Sequence, residues 1–182
     1  MSKYDILPVK IKNKIPKKWA EIDKSQLVHP FCACINSPPQ SGKSNLLCNL
    51  LMNPNFNFVN LFDKIIICSP SIMGDKTLAP ILDVMEKDED LNDKIVIFTG
   101  DDLDDMGELL KLIVDNQKKD KEKECLLILD DCIGLLRGDL GKLCAKYRHF
   151  NLSIIITSQN FKSYDPITRN CASHWIMFKT YN

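Results

Sequence analysis

An α/β fold, with a mostly parallel central sheet and helices on both faces, is what this sequence predicts, on two observations. Short, nearly unbroken apolar runs begin at residue 31 and recur over residues 64–70, 94–100, 124–132, 152–159 and 173–179, with segments of helical spacing between them. Runs of that length without alternation suit strands buried on both faces. Parallel neighbours need crossover connections, and the intervening helices supply them. The second observation is local: the first run breaks into a Pro/Gly-rich loop that opens directly into a helix.

Taken in order, residues 1–30 carry Lys10, Lys12, Lys14, Lys17 and Lys18 between Pro8, Pro16 and Pro30, with little periodicity. They predict an extended N-terminal arm, solvated or touching a second subunit; residues 31–182 form the core domain. After the loop, Leu46, Leu47, Leu50 and Leu51 fall at helical spacing, and Asn53 with Pro54 ends that helix. Strand 64–70 follows, then a helix over 76–87, strand 94–100, and an amphipathic helix over 104–119 that dissolves into the charged loop KKDKEKE. Strand 124–132, a helix over 138–148, strand 152–159 and a last apolar run at 173–179 complete the pattern.

Composition narrows the function classes. Lysine plus arginine equals aspartate plus glutamate at 24 each, so no overall basic field advertises a nucleic-acid partner; contact with DNA would need a local patch or an assembly. Eight cysteines sit mostly inside apolar runs, without a C-x-x-C pair or zinc-finger spacing, and read as buried free thiols of a reducing compartment. No apolar run approaches the roughly 18 residues that span a bilayer, and the N-terminus has no signal-like apolar segment. A soluble, intracellular protein is expected.

The loop SPPQSGKS matches the phosphate-binding pattern G-x-x-x-x-G-K-[ST] at every defined position but the first, which is Ser37. Such a loop aims several backbone N–H groups and a helix N-terminus at a polyphosphate. Ser37, Pro38, Pro39, Gln40, Ser41, Gly42, Lys43, Ser44 and Asn45 are therefore the candidate nucleotide-binding residues. Gly42 lets the backbone approach, Lys43 reaches the β- and γ-phosphates, and the Ser44 hydroxyl enters the coordination shell of Mg²⁺. Pro38 and Pro39 stiffen the turn that glycine would otherwise ease.

Strand 124–132 delivers two carboxylates at its C-terminal end, where ligands of open α/β sheets bind. Asp130 is the candidate metal ligand, and Asp131 the base that orients and deprotonates a water. The competing reading is a strand that merely ends in a solvated Asp-Asp turn. Strand 152–159 ends in Ser158 and Gln159, placing a neutral amide at the same sheet edge, suited to touching a γ-phosphate or the attacking water.

The stretches SPPQSGKSNLL, LLILDDC, YRHFNLSIIITSQNF and DPITRNCASHWIMFK together resemble the FtsK/HerA superfamily of pumping ATPases. Within it they resemble the genome-packaging ATPases of poxviruses and other large DNA viruses, giant viruses and virophages included. The resemblance covers roughly residues 31–179. It implies a RecA-like P-loop NTPase core in which the strand carrying Gln159 lies between the P-loop strand and the Asp-Asp strand. It implies ATP with Mg²⁺ as cofactors, ring oligomers that translocate double-stranded DNA, and capsid or portal-vertex partners. The location it implies is a viral assembly site in the host cytoplasm, or the virion. It also implies an arginine that completes a neighbouring subunit's site, for which Arg148 and Arg169 are the candidates. Family ATPase domains usually run beyond the point that Asn182 marks here, so a C-terminally truncated or short member is expected. Two other classes stay open: a small-molecule phosphotransferase of nucleotide-kinase type, which would need an arginine-rich lid, and a non-catalytic nucleotide-binding assembly module.

Overall fold

A computed structural model of the chain describes residues 17–20, 27–136 and 138–179. In chain order these form α1 (Lys17–Ala20), β1 (Cys32–Asn36), α2 (Lys43–Met52), α3 (Phe58–Leu61), β2 (Lys64–Cys68), α4 (Ala79–Lys87), α5 (Glu89–Lys94) and β3 (Ile95–Phe98). There follow α6 (Met106–Lys119), β4 (Cys125–Asp130), α7 (Asp139–Cys144), β5 (Leu152–Ser158), α8 (Pro166–Cys171) and β6 (His174–Met177). The six strands make one sheet in the order β3-β2-β4-β5-β1-β6, and every pairing is parallel. The strand leading to Gln159 thus lies between the P-loop strand and the Asp-Asp strand, as a RecA-like core requires.

The apolar runs lack alternation because both faces of the sheet are covered. Along β4, Cys125, Leu127 and Leu129 join a core layer with α6, α7 and Tyr164, whereas Leu126 and Ile128 join a second layer with α2, α3 and Leu78 and Ile81 at the start of α4. On β1, Cys32 and Cys34 face the first layer, Ala33 and Ile35 the second. Each fully buried leucine or isoleucine contributes about 1.5–3 kcal/mol over its exposed state, and the central strands carry such residues on both faces. Double coverage does not extend to the expected strands at 94–100 and 173–179. These became β3 and β6, the two edges of the sheet; of β3 only Ile95 is buried, and β6 is half-buried or exposed. A strand with a neighbour on one side only has its outer margin in solvent.

Two helix boundaries also differ from expectation. The helix expected over 76–87 starts at Ala79, because residues 75–78 form a turn and Pro80 occupies its first turn, where a missing N–H costs nothing. The helix expected over 138–148 stops at Cys144 and the chain tightens into a 3₁₀ turn at Tyr147–Phe150 before entering β5. The short helices α3, α5 and α8 are too brief for periodicity to reveal. Of the expected N-terminal arm, residues 1–16 and 21–26 lie outside the described residues; Lys17–Ala20 is a helical turn, and Trp19, 1% exposed, belongs to the second core layer.

Six of the eight cysteines are buried, Cys48 and Cys171 partly so, and all eight are free thiols. Burial pushes the thiols of Cys68, Cys125 and Cys132 up to about 12, well away from a reactive thiolate.

Candidate active site at the C-terminal sheet edge

Parallel register sets the C-terminal ends of β2, β4, β5 and β1 side by side: Cys68 lies opposite Leu129, Asp130 opposite Thr157, and Ser158 opposite Asn36. Whatever follows those residues therefore shares one edge, and a cavity of ≈ 500 Å³ opens there. It is bounded by Pro38, Pro39, Gln40 and Gly42–Asn45 of the loop, by Ser71, Asp75 and Thr77 after β2, and by Asp130, Asp131 and Gln159.

The loop turns differently from the glycine-first pattern. Ser37 needs no left-handed backbone; the left-handed positions are Gln40 (φ 58°) and Gly42 (φ 102°). Gly42 caps α2 at φ 102°, a conformation L side chains rarely adopt, so glycine is required at the point where the loop becomes helix. Ser41 ties the turn, its hydroxyl donating to the Pro38 carbonyl at 2.7 Å. Ser37 donates its N–H to the Ser158 carbonyl at 3.0 Å and is wholly buried, with its hydroxyl unpartnered. Of the nine loop residues expected to line the site, Ser37 and Ser41 thus stand behind its wall; the other seven border the cavity.

Lys43, at the first turn of α2, reaches across to both acids. Its ammonium lies 3.1 Å from Asp130 Oδ1 and in direct contact with Asp131 Oδ2. Burial alone would lower its pKa, but the hydrogen bond to Asp131 and the charge of Asp130 outweigh that and hold it above its ordinary 10.5. Asp130 is 2% exposed. Ser69 Oγ donates to its Oδ2 at 2.9 Å, and Thr157 Oγ1 donates to its Oδ1 at 2.7 Å. That cradle makes a buried carboxylate tolerable, since an unpaired one would cost several kcal/mol.

Asp131 sits just past the strand end with φ 53°, a left-handed backbone unusual for a residue with a Cβ. Its N–H donates to Thr157 Oγ1 at 3.0 Å, which anchors the strained turn and swings the carboxylate toward the cavity. Gln159 Nε2 donates to Asp131 Oδ2 at 3.4 Å. Lys43, Asp130, Asp131 and Gln159, drawn from three strand ends, are therefore brought into one group. Ser44 borders the same cavity, but its hydroxyl donates to Asp75 at 2.6 Å.

Arg148 and Arg169 are not brought to this cavity. Arg148 is exposed just before the start of β5, at the opposite edge of the sheet, its Nε donating to the Tyr147 hydroxyl at 3.0 Å. Arg169 on α8 lies over the Phe161 ring, 5.7 Å from its centroid. Sequence reasoning missed Ser69, Thr157 and Asp75. Ser69 and Thr157 closely flank β2 and Gln159 respectively, but a lone hydroxyl at a strand end carries no pattern. Cys132, next to the acids, is a packing group: its thiol donates to the Cys68 carbonyl at 3.1 Å.

Comparison with known proteins agrees with this architecture. The family described as Poxvirus A32 protein matches residues 22–182. Among curated proteins no sequence matches. Among solved structures, the cytoplasmic domain of EssC superposes with a TM-score of 0.60 at 14% identity, covering 86% of this chain and 35% of that one, so the chain spans about a third of that domain's length. B204, the DNA-packaging ATPase of Sulfolobus turreted icosahedral virus, gives 0.58 at 18% identity, covering 85% and 78%. The B204 genome-packaging NTPase of Sulfolobus turreted icosahedral virus 2, in complex with AMPPCP, gives 0.58 at 17% identity, covering 84% and 77%. At these identities the likeness is one of fold.

Proposed function

The chain belongs to the poxvirus A32 protein family, and from that premise we propose that it is the ATP-hydrolysing subunit of a motor that drives double-stranded DNA into a viral capsid. It is a P-loop ATPase of α/β fold. The observation that carries the reading is the Lys43 ammonium shared by Asp130 and Asp131, with the Gln159 amide on the same carboxylate. A lysine that borders a cavity and is balanced by two acids can trade carboxylate oxygens for phosphate oxygens. Asp131 is thereby released to act.

The donor set fits Mg²⁺. Ser44 Oγ and the Asp130 carboxylate are hard oxygen donors bordering one cavity, and Mg²⁺ is commonly held by one or two such groups plus phosphate and water. Among the described residues no group of three His, Cys, Asp or Glu side chains could hold a metal alone. When bound, the metal neutralises charge on the β- and γ-phosphates. The chain's own work is then divided. Lys43 and the loop N–H groups hold the triphosphate, Asp131 orients and deprotonates the attacking water, and Gln159 bonds the γ-phosphate or that water. Ser69 and Thr157 hold the Asp130 carboxylate correctly turned.

Arg148 or Arg169 supplies charge to the site of the next subunit in a ring, since neither reaches its own. Residues 31–182 act as the motor core and residues 1–30 as an arm held to it through Trp19, and the capsid or portal vertex is the docking partner. No helix among the described residues is long and apolar enough to cross a membrane, which suits work at an assembly site in the host cytoplasm or within the virion. Steady-state hydrolysis with Mg²⁺, with and without double-stranded DNA, tests the reading. Lys43→Ala and Asp131→Ala should abolish turnover; hydrolysis that survives both rules the assignment out.

A further inference from the structure

One polar contact in the cavity is left over by the phosphate-loop chemistry: Ser44 Oγ donates its proton to Asp75 Oδ2 at 2.6 Å. Asp75 is not a loosely placed surface acid. Its Oδ1 accepts the Thr77 N–H at 2.8 Å, and its carbonyl accepts the N–H groups of Leu78 and Ala79 at 3.0 and 3.1 Å, at the start of α4. Leu78 and Ile81, 2% and 1% exposed, fasten that turn to the core. The two carboxylate oxygens thus have separate tasks, one on the turn and one on Ser44.

A serine hydroxyl has one proton and two lone pairs. Resting on the phosphate-loop reading above, we propose that Asp75 is a positioning residue for the nucleotide-bound Mg²⁺: by taking the Ser44 proton it leaves the hydroxyl's lone pairs to the cation. The need is specific to this site. Asp130 already spends Oδ2 on Ser69 and Oδ1 on Thr157 and Lys43, so it can offer the metal little before Lys43 departs. Ser44 is the remaining protein donor, and a hydroxyl that turned its proton inward would repel the cation. Outer-sphere partners of this kind fix ligand orientation and raise donor strength.

Two substitutions test it in the full chain. Asp75→Asn keeps the shape; with its one oxygen on Thr77, its amide donates to Ser44 and occupies a lone pair. Asp75→Ser retains one oxygen for the turn and leaves Ser44 without its acceptor. Binding of a fluorescent ATP analogue is titrated against Mg²⁺, with a parallel titration in EDTA. Both variants should raise the Mg²⁺ concentration for half-maximal tight binding by about tenfold or more. Affinity in EDTA should be unchanged or tighter, because a negative charge has left the rim. A wild-type Mg²⁺ midpoint in both variants overturns the proposal, as does a loss in EDTA as large as the loss with Mg²⁺, which would mean a disturbed loop. Lys43→Ala serves as the separate control: if it binds in EDTA as wild type does, the phosphate-loop reading itself fails.

Discussion

Strand β4 is entered through one buried carboxylate, Glu124, and left through another, Asp130, 5% and 2% exposed respectively. Each meets a lysine: Lys18 Nζ lies 2.8 Å from Glu124 Oε2, and Lys43 Nζ lies 3.1 Å from Asp130 Oδ1. The surroundings differ. Glu124 also accepts from Trp19 Nε1 at 2.7 Å, and Trp19 stacks on His29 with ring centroids 5.6 Å apart, so protein closes over the acid. Around Asp130 the fixed donors are hydroxyls of neighbouring strands, the lysine is shared with Asp131 on a left-handed turn, and a cavity adjoins them. The same ion-pair chemistry is a fastening at one end and an exchangeable contact at the other. What separates them is whether the group has somewhere else to go.

Removing Asp131's charge should break that comparison most sharply. Asp131→Asn is expected to lower ATP turnover by about 10²- to 10⁴-fold, the usual worth of a general base, while the thermal midpoint stays level or rises; a stability loss as large as the rate loss would make this end a fastening as well. At the other end, Glu124→Ala should cost about 2–3 kcal/mol in urea unfolding, the scale of hydrogen bonds to a charged group. Turnover per folded molecule should hold.

Thr157→Val, nearly isosteric, sharpens the contrast from inside the site. It deletes both the donor to Asp130 and the acceptor for the Asp131 N–H. It should therefore move both readouts, by about 1–3 kcal/mol in stability and about tenfold in turnover.

The smallest expected effect is a pH dependence at the Glu124 end. Burial holds His29 below its ordinary 6.5, opposed by its hydrogen bond to Asn151. The unfolded chain therefore binds a proton that the folded chain refuses, so stability is full above 6.5 and falls as the pH drops through and below it. Neutral His29 fits its contacts: Nε2 can donate to Asn151 Oδ1 at 2.9 Å while Nδ1 accepts from Ser153 Oγ at 2.7 Å. Urea midpoints between pH 7.5 and 5.5 should show a slope that His29→Gln flattens.

Much of the molecule was legible beforehand. The unbroken apolar runs marked all six strands; in the four central ones, burial on two faces leaves a compositional trace within five to seven residues. SPPQSGKS and the Asp-Asp pair were readable for a similar reason: each is a contiguous loop whose geometry is local. Ser37 shows the limit of that reading, since its place in the pattern suggested a lining residue, while the turn is made at Gln40 and Gly42. The edge positions of β3 and β6 were equally hidden, because a strand's sequence does not say how many neighbours it has. Trp19, in a lysine-rich stretch without periodicity, gave no sign of being a core residue.

By itself the sequence determined the class of fold, the loop that turns from strand to helix, and which strand ends carry acid or amide. These depend on neighbours a few residues apart, where backbone sterics and apolar spacing act directly. Only the tertiary structure decided which hydroxyls hold Asp130, that Ser44 gives its proton to Asp75, and that neither arginine reaches its own cavity. Those contacts join residues 61, 27 and 31 positions apart. They exist because parallel register aligns the ends of separate strands along one edge, a relation that no short stretch of chain contains.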